Sequence, residues 1–189
     1  QPVLIVMHGL SGSGKTWISD ALMAAMPAIR IRSDIERTRM FDHAETAASG
    51  AGWGTGIYSD AANDERYGTR CDRAETGLRA RHSVILDAAF LAKAERHRAI
   101  LAAQRVGCPA VLIDVQAPEA TLRARVTARA HAGKDASEAN AAVITRQLAE
   151  VEPIGGDEDV RVIVCDNANG VDVADIVRKI KAERQTGSA

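Results

Sequence analysis

The chain has 189 residues, 24 basic against 25 acidic, and a formal net charge of −1, so no global field draws it to nucleic acid or to an anionic membrane. Hydrophobic residues make up 46%, which supports one globular domain and excludes a disordered chain. Aromatic residues are 3%, too few for extended base-stacking platforms.

The opening run, 3–7, is apolar throughout, as expected of a strand covered on both faces. It lacks the basic start and cleavage pattern of a signal peptide, and no apolar run approaches a membrane span. The first residue is Gln1 rather than Met, which leads us to expect a piece of a longer protein. His8 reads as a strand-end core residue rather than a catalyst.

Next comes Gly9-Leu10-Ser11-Gly12-Ser13-Gly14-Lys15-Thr16, which fills every fixed position of G-x-x-x-x-G-K-[ST]. A loop that wraps a phosphate with its own N–H groups needs glycines that clear side chains from its path. A helix starting at its end points a positive terminus at the anion. Lys15 reaches the β- and γ-phosphates of a nucleoside triphosphate, and Thr16 offers a hydroxyl to Mg²⁺. The motif sits between a predicted strand and a predicted helix, its confirming context.

That helix covers 15–26, with Ile18, Ala21, Leu22 and Ala25 on one face. A second strand, 28–32, ends at Arg32-Ser33-Asp34-Ile35-Glu36-Arg37, at the sheet edge where ligands bind. Asp34 can accept a proton from an incoming hydroxyl there, with Arg37 on the same side of the turn. The spacing also fits a plain helix N-cap with a solvated arginine. Four glycines surround Trp53 in 49–58, a pattern shared by a flexible substrate flap and a loosely packed loop.

The segment 60–81 carries Tyr67, Cys71, Ala74 and Leu78 at helical spacing. A third strand, 83–87, ends in Asp87, an acid placed to orient Mg²⁺ through water or, more plainly, to cap a turn. Ala88 follows it, without the second carboxylate that a mechanical ATPase uses to activate water. A helix over 93–106, a fourth strand over 109–115 and a helix from Pro118 come next.

In that last helix Arg125 and Arg129 share a face, suited either to closing over a triphosphate or to simple solvation. Residues 131–135 form a connector, and Val143, Ile144, Gln147, Leu148 and Val151 mark another helix. A fifth strand, 160–165, leads to the turn Asp166-Asn167-Ala168-Asn169-Gly170 and a final helix bearing Val173, Ile176, Val177 and Ile180. The remaining histidines show no ligand spacing, so no protein metal cage is expected. Cys71, Cys108 and Cys165 lie far apart and read as reduced, buried thiols of a cytoplasmic protein. Strands separated by helices make an α/β domain with a parallel sheet. We expect one domain over 1–184 and a tail over 185–189.

The phosphate loop, Ser33-Asp34-x-x-Arg37, the strand ending in Asp87 and Arg125-x-x-x-Arg129 together resemble the P-loop kinase family of polynucleotide kinases, gluconate-kinase-like enzymes and zeta-toxin-like kinases. The likeness covers 3–165 and is nearest to bacterial kinase-like proteins labelled AAA-family ATPases. Some of those are fused behind a phosphotransferase-like domain. The resemblance implies a three-layer P-loop fold, with a five-stranded parallel sheet ordered 2-3-1-4-5, helices on both faces and a helical lid over 123–140. It implies Asp34 as base or positioner for the acceptor hydroxyl, Arg37 as the cation near the acceptor or the transferred phosphate, and Arg125 and Arg129 as lid arginines, Arg129 before Arg125.

The phage polynucleotide kinase carries a polar Asp-Thr-Asn run after its third strand. This chain has Asp87-Ala88-Ala89-Phe90, which counts against a polynucleotide acceptor. The expected activity is therefore transfer of the γ-phosphoryl group of Mg-ATP to a hydroxyl of a small molecule. A polynucleotide 5′-hydroxyl kinase and an ATP-binding regulatory module with little transfer are the alternatives.

Overall fold

Leu4–His8 is buried at all five positions, which a strand achieves only in the middle of a sheet covered on both faces. This is β1. It pairs in parallel with β3 (Val84–Asp87) on one side and β4 (Ala110–Gln116) on the other. β2 (Ile29–Arg32) extends the sheet beyond β3 and β5 (Arg161–Asp166) beyond β4, both parallel. The order is β2-β3-β1-β4-β5, as the resemblance implies.

The computed structural model describes residues 1–32, 60–132, 137–168 and 170–186, with backbone alone at 60–67, 130–132, 137–141, 185 and 186. Asp34, Arg37 and the glycine-rich segment 49–58 lie outside the described residues. Six helices occur among those described: α1 (Lys15–Ala25), α2 (Asp60–Arg79), α3 (Lys93–Gln104), α4 (Glu119–Ala132), α5 (Ser137–Glu150) and α6 (Val173–Thr186).

The two faces of the sheet carry separate cores because strand side chains alternate. On one face Ile5, Met7, Ile113 and Ile163 pack under Ile18 and Leu22 of α1 and Ile176 and Ile180 of α6. On the other, Leu4, Val6, Leu86 and Leu112 pack under Cys71, Ala74 and Leu78 of α2 and Ala99, Ala102 and Ala103 of α3. The small alanines of α3 bring its backbone close to the strands.

α4 and α5 belong to neither core. Leu122 and Val126 of α4 and Ile144 of α5 bury against one another, with Leu10 and Ala117 beside them. Each large buried side chain contributes about 1.5–3 kcal/mol, so three of them hold this helical pair far less firmly than either sheet core holds its helices. The pair is seated on the phosphate loop itself. No helix among the described residues is long and apolar enough to cross a membrane. Cys71, Cys108 and Cys165 are free, and burial pushes the Cys71 and Cys165 thiols up to about 11, which makes them poor nucleophiles.

Candidate active site

At the carboxyl end of β1 the chain turns through Gly9 to Gly14 and starts α1 at Lys15. Gly9 N donates to Ala89 O (3.2 Å) in the segment after β3, and Ser13 N donates to Leu10 O (3.2 Å) within the loop. Gly12 and Gly14 have φ of +84° and +102°, a region costly for other residues. Space forbids a side chain as well. A Cβ on Gly12 would stand 2.7 Å from Leu122 O, and one on Gly14 would stand 2.2 Å from Asn167 Nδ2. The glycines thus serve the packing of α4 and of the turn after β5 as well as access for a phosphate.

Gly14 is the N-cap of α1, with no side-chain cap and no acid in the first turn. The first-turn N–H groups and the positive helix end are left for an anion. Lys15 curls under the loop, donating from Nζ to Gly9 O (2.8 Å) and Leu10 O (2.9 Å). Burial lowers its pKa from 10.5 to about 8; Asp87 opposes that shift and Arg129 reinforces it. Asp87 and Arg129 therefore both lie within electrostatic reach of Lys15. Arg129 is exposed on α4.

Asp87 is buried at the end of β3, and its Oδ2 finds no hydrogen-bond partner among the described residues. Arg30 Nη1 stands 3.9 Å from that oxygen. An orphaned carboxylate oxygen is costly and fits a hydrated cation. Thr16 is exposed on the first turn of α1, and its hydroxyl is free to face a ligand of the loop. Among the described residues no three His, Cys, Asp or Glu converge on a point. One hydroxyl and one carboxylate suit Mg²⁺, which keeps several waters and binds largely through phosphate oxygens.

Three residues hold the loop from outside. Arg125 donates from Nη2 to Asn167 O (2.9 Å) and from Nη1 to Gly12 O (3.3 Å) and Ser13 O (3.5 Å). Asn167 Nδ2 donates to Ser13 O (2.7 Å), and Gln147 Oε1 accepts from Ser11 N (2.8 Å). The loop is thus fixed by one side chain each from α4, α5 and the turn after β5. Sequence reasoning singled out Arg125 for the triphosphate, read Asn167 as turn chemistry and took Gln147 only as a helix marker. The partners of all three are backbone groups more than forty residues away, and such pairings leave no local spacing to read.

His8 is buried at the strand end as expected, yet it is not apolar filling. Its Nδ1 lies 2.7 Å from Asp114 Oδ1, and Gln116 Nε2 donates to Asp114 Oδ2 (2.6 Å). Burial alone would raise the Asp114 pKa, but the hydrogen bonds from His8 and Gln116 hold it below the usual carboxylate range. These three residues line a cleft of about 530 Å³ that opens beside Gly9 and Leu10 and is closed by Leu122 and by residues 151–154.

That far wall is stitched to the segment after β3. Glu152 N donates to Leu91 O (3.0 Å), and Lys93 N donates back to Glu152 Oε2. Arg96 is fully buried and bonds Glu158 with two donors (2.7 and 2.8 Å). Its other donors reach Phe90 O, Leu91 O and Pro153 O.

Comparison with known proteins agrees with this geometry. A family model described as an AAA domain matches residues 4–154. No protein of curated function matches the sequence. Among solved structures, the chain is similar to a gluconokinase from Sinorhizobium meliloti (22% identity, TM-score 0.63, covering 98% of this chain and 93% of that one). It is similar to a sugar kinase from Janibacter sp. (16%, 0.68, 100% and 99%). It also resembles the APS kinase of Mycobacterium tuberculosis solved with AMPPNP and APS (15%, 0.62, 98% and 98%).

Proposed function

The chain belongs to the AAA-domain family of P-loop proteins, and from that premise we propose that it is an ATP-dependent kinase acting on a hydroxyl of a small molecule. The observation that carries the reading is the convergence, at one sheet edge, of the glycine loop, Lys15 and the unpartnered oxygen of Asp87. The shared fold of three solved kinases supports it.

In this reading the triphosphate lies along the backbone N–H groups of Gly9 to Thr16, and Lys15 leaves its carbonyl partners for the β- and γ-phosphates. Thr16 and, through water, Asp87 would hold Mg²⁺, which when bound neutralises charge on the phosphate oxygens. Asp34 orients the acceptor hydroxyl and takes its proton. A bond forms from that oxygen to the γ-phosphorus, and the bond from the γ-phosphorus to the β,γ-bridging oxygen breaks, leaving ADP.

Arg37 and Arg129 offset the migrating charge, whereas Arg125 acts one step back by holding Gly12, Ser13 and Asn167 in place. Closure of the lid region (123–140) would exclude water from the transfer. We take 1–184 as one catalytic domain of a cytoplasmic enzyme.

The deciding assay measures ADP release from Mg-ATP with sugars, nucleosides, aminoglycosides and 5′-hydroxyl oligonucleotides, alongside Asp34→Asn. Stimulation by a small molecule that disappears in the variant is the expected result. Full transferase activity in Asp34→Asn would remove Asp34 from its role. Tight ATP binding with no stimulated turnover would instead favour a regulatory module.

A further inference from the structure

The face of the sheet that packs under α2 and α3 does not stay apolar to its end. Leu4 and Val6 of β1 lie in that core, and alternation puts His8 next on the same side. On β4, Leu112 lies in the core, and Asp114 and Gln116 follow it. Parallel register sets His8 directly beside Asp114. The apolar face therefore finishes in a polar row exactly where the cleft begins, beside the first two residues of the phosphate loop.

The row has one open valence. Both oxygens of Asp114 are taken, Oδ1 by His8 and Oδ2 by Gln116. Because a carboxylate only accepts, the His8 nitrogen that faces it carries the proton. In the neutral imidazole the other ring nitrogen, Nε2, then keeps a lone pair. Nε2 is buried and finds no partner among the described residues, although His8 lines the cleft. A buried polar atom without a partner calls for one, and the missing partner is a donor.

The rest of the lining says what kind of molecule carries that donor. Leu10, Leu122, Val151 and Ile154 offer apolar walls for a carbon skeleton. The charged lining residues are Asp114 and Glu152, both acidic, and no lysine or arginine lines the cleft among the described residues. An anionic ligand would meet these carboxylates, while the nearby Lys15 is turned to the carbonyls of Gly9 and Leu10.

We propose that this cleft is the acceptor subsite, and that it takes a neutral or cationic polyol with one hydroxyl donating to His8 Nε2. The proposal rests on the kinase reading for the word acceptor, and it adds a substrate class and a recognition group to that reading. His8 and Asp114 are binding residues here.

The test uses the whole protein without nucleotide and reads saturation-transfer NMR from glucitol, glucamine and gluconate at matched concentrations. These open-chain polyols share a skeleton and differ in charge at one end. Glucitol and glucamine are expected to bind, with gluconate weaker by about ten-fold or more, because like charges meet in a partly buried site. His8→Ala is expected to weaken glucitol by roughly ten-fold. Asp114→Asn keeps the shape, removes the charge and narrows the gap between glucitol and gluconate, so it decides the matter even if His8→Ala does not fold.

Equal binding of gluconate and glucitol, no binding of any of the three, or folded variants that bind as the parent does would each overturn the proposal. Failure of the kinase reading looks different. There, glucitol binds in the cleft as described but no acceptor ever stimulates turnover.

Discussion

The side-chain amide of Asn167 donates to the carbonyl of Ser13 across 2.7 Å, and the same Nδ2 lies where a Cβ of Gly14 would have to stand. One short turn after β5 therefore sets the shape of a loop that follows β1. The bond is buried, so deleting it leaves the Ser13 carbonyl with only the longer bond from Arg125 (3.5 Å). Asn167→Ala is expected to cost about 1–2 kcal/mol of stability in urea denaturation. Loss of a preformed loop should weaken ATP binding by roughly five- to ten-fold in calorimetry. Unchanged ATP affinity would mean that the loop keeps its shape without Asn167. Gly14→Ala should be far worse, since it adds strain at φ +102° to the clash.

Arg125 and Arg129 share a helix face but differ in surroundings. Arg125 spends its donors on backbone carbonyls of the loop and of Asn167, whereas Arg129 is exposed and its charge reaches Lys15. Their variants should therefore fail differently. Arg125→Ala is expected to raise the KM for ATP with a modest fall in kcat. Arg129→Ala should lower kcat by about 10³-fold with little change in ATP binding, as for an arginine that meets charge only in the transition state. Steady-state kinetics on both variants checks this, and matching profiles would show that the two arginines act alike.

The difference between those two arginines also marks where sequence reading stops. The alternation of strands and helices and the phosphate loop were legible because each rests on a local pattern: apolar runs, helical spacing, glycines at fixed offsets; the strand order came only with the family resemblance. The site's supporting bonds were not. His8 and Asp114 are 106 residues apart and meet only because β1 and β4 run in register. Ser11 and Gln147 meet only because α5 folds back over the loop. His8 looked like a strand end and is one, but its ring is held by a neighbour that no spacing announces. Asp34 and Arg37 are the reverse case, named by their motif and lying outside the described residues.

Lys15 offers a prediction with a definite sign. Its folded pKa of about 8 lies below the ordinary 10.5. Between those values the unfolded chain holds a proton that the folded chain has released, so Lys15 contributes stability that grows as pH rises through that window. A triphosphate beside Nζ favours the charged form and raises the pKa again. ATP binding near pH 9 should therefore take up as much as about one proton. This is measurable as a dependence of the calorimetric enthalpy on the ionisation enthalpy of the buffer. Affinity should fall as pH rises through about 8. The uptake should vanish in Lys15→Met, and its persistence there would assign it to another group.

Arg96 gives the strongest stability prediction because every one of its donors is used in the dry interior. Glu158 takes two, and the carbonyls of Phe90, Leu91 and Pro153 take the others. Phe90 sits at φ +49° with its ring fully buried, a conformation that persists only where surroundings impose it. Arg96 is one such constraint. Arg96→Met would leave the Glu158 carboxylate buried without its counter-ion and the carbonyls of Phe90 and Pro153 without their donor, at a cost of about 3–5 kcal/mol. Glu158→Gln keeps one acceptor oxygen but leaves the Arg96 charge buried without its counter-ion, and should cost a similar amount. In the double variant the buried charge is gone altogether, so its loss should fall short of the sum of the two single losses. Urea denaturation of the four proteins measures that coupling. Strict additivity would mean that Arg96 and Glu158 do not interact in the folded chain, contrary to their geometry.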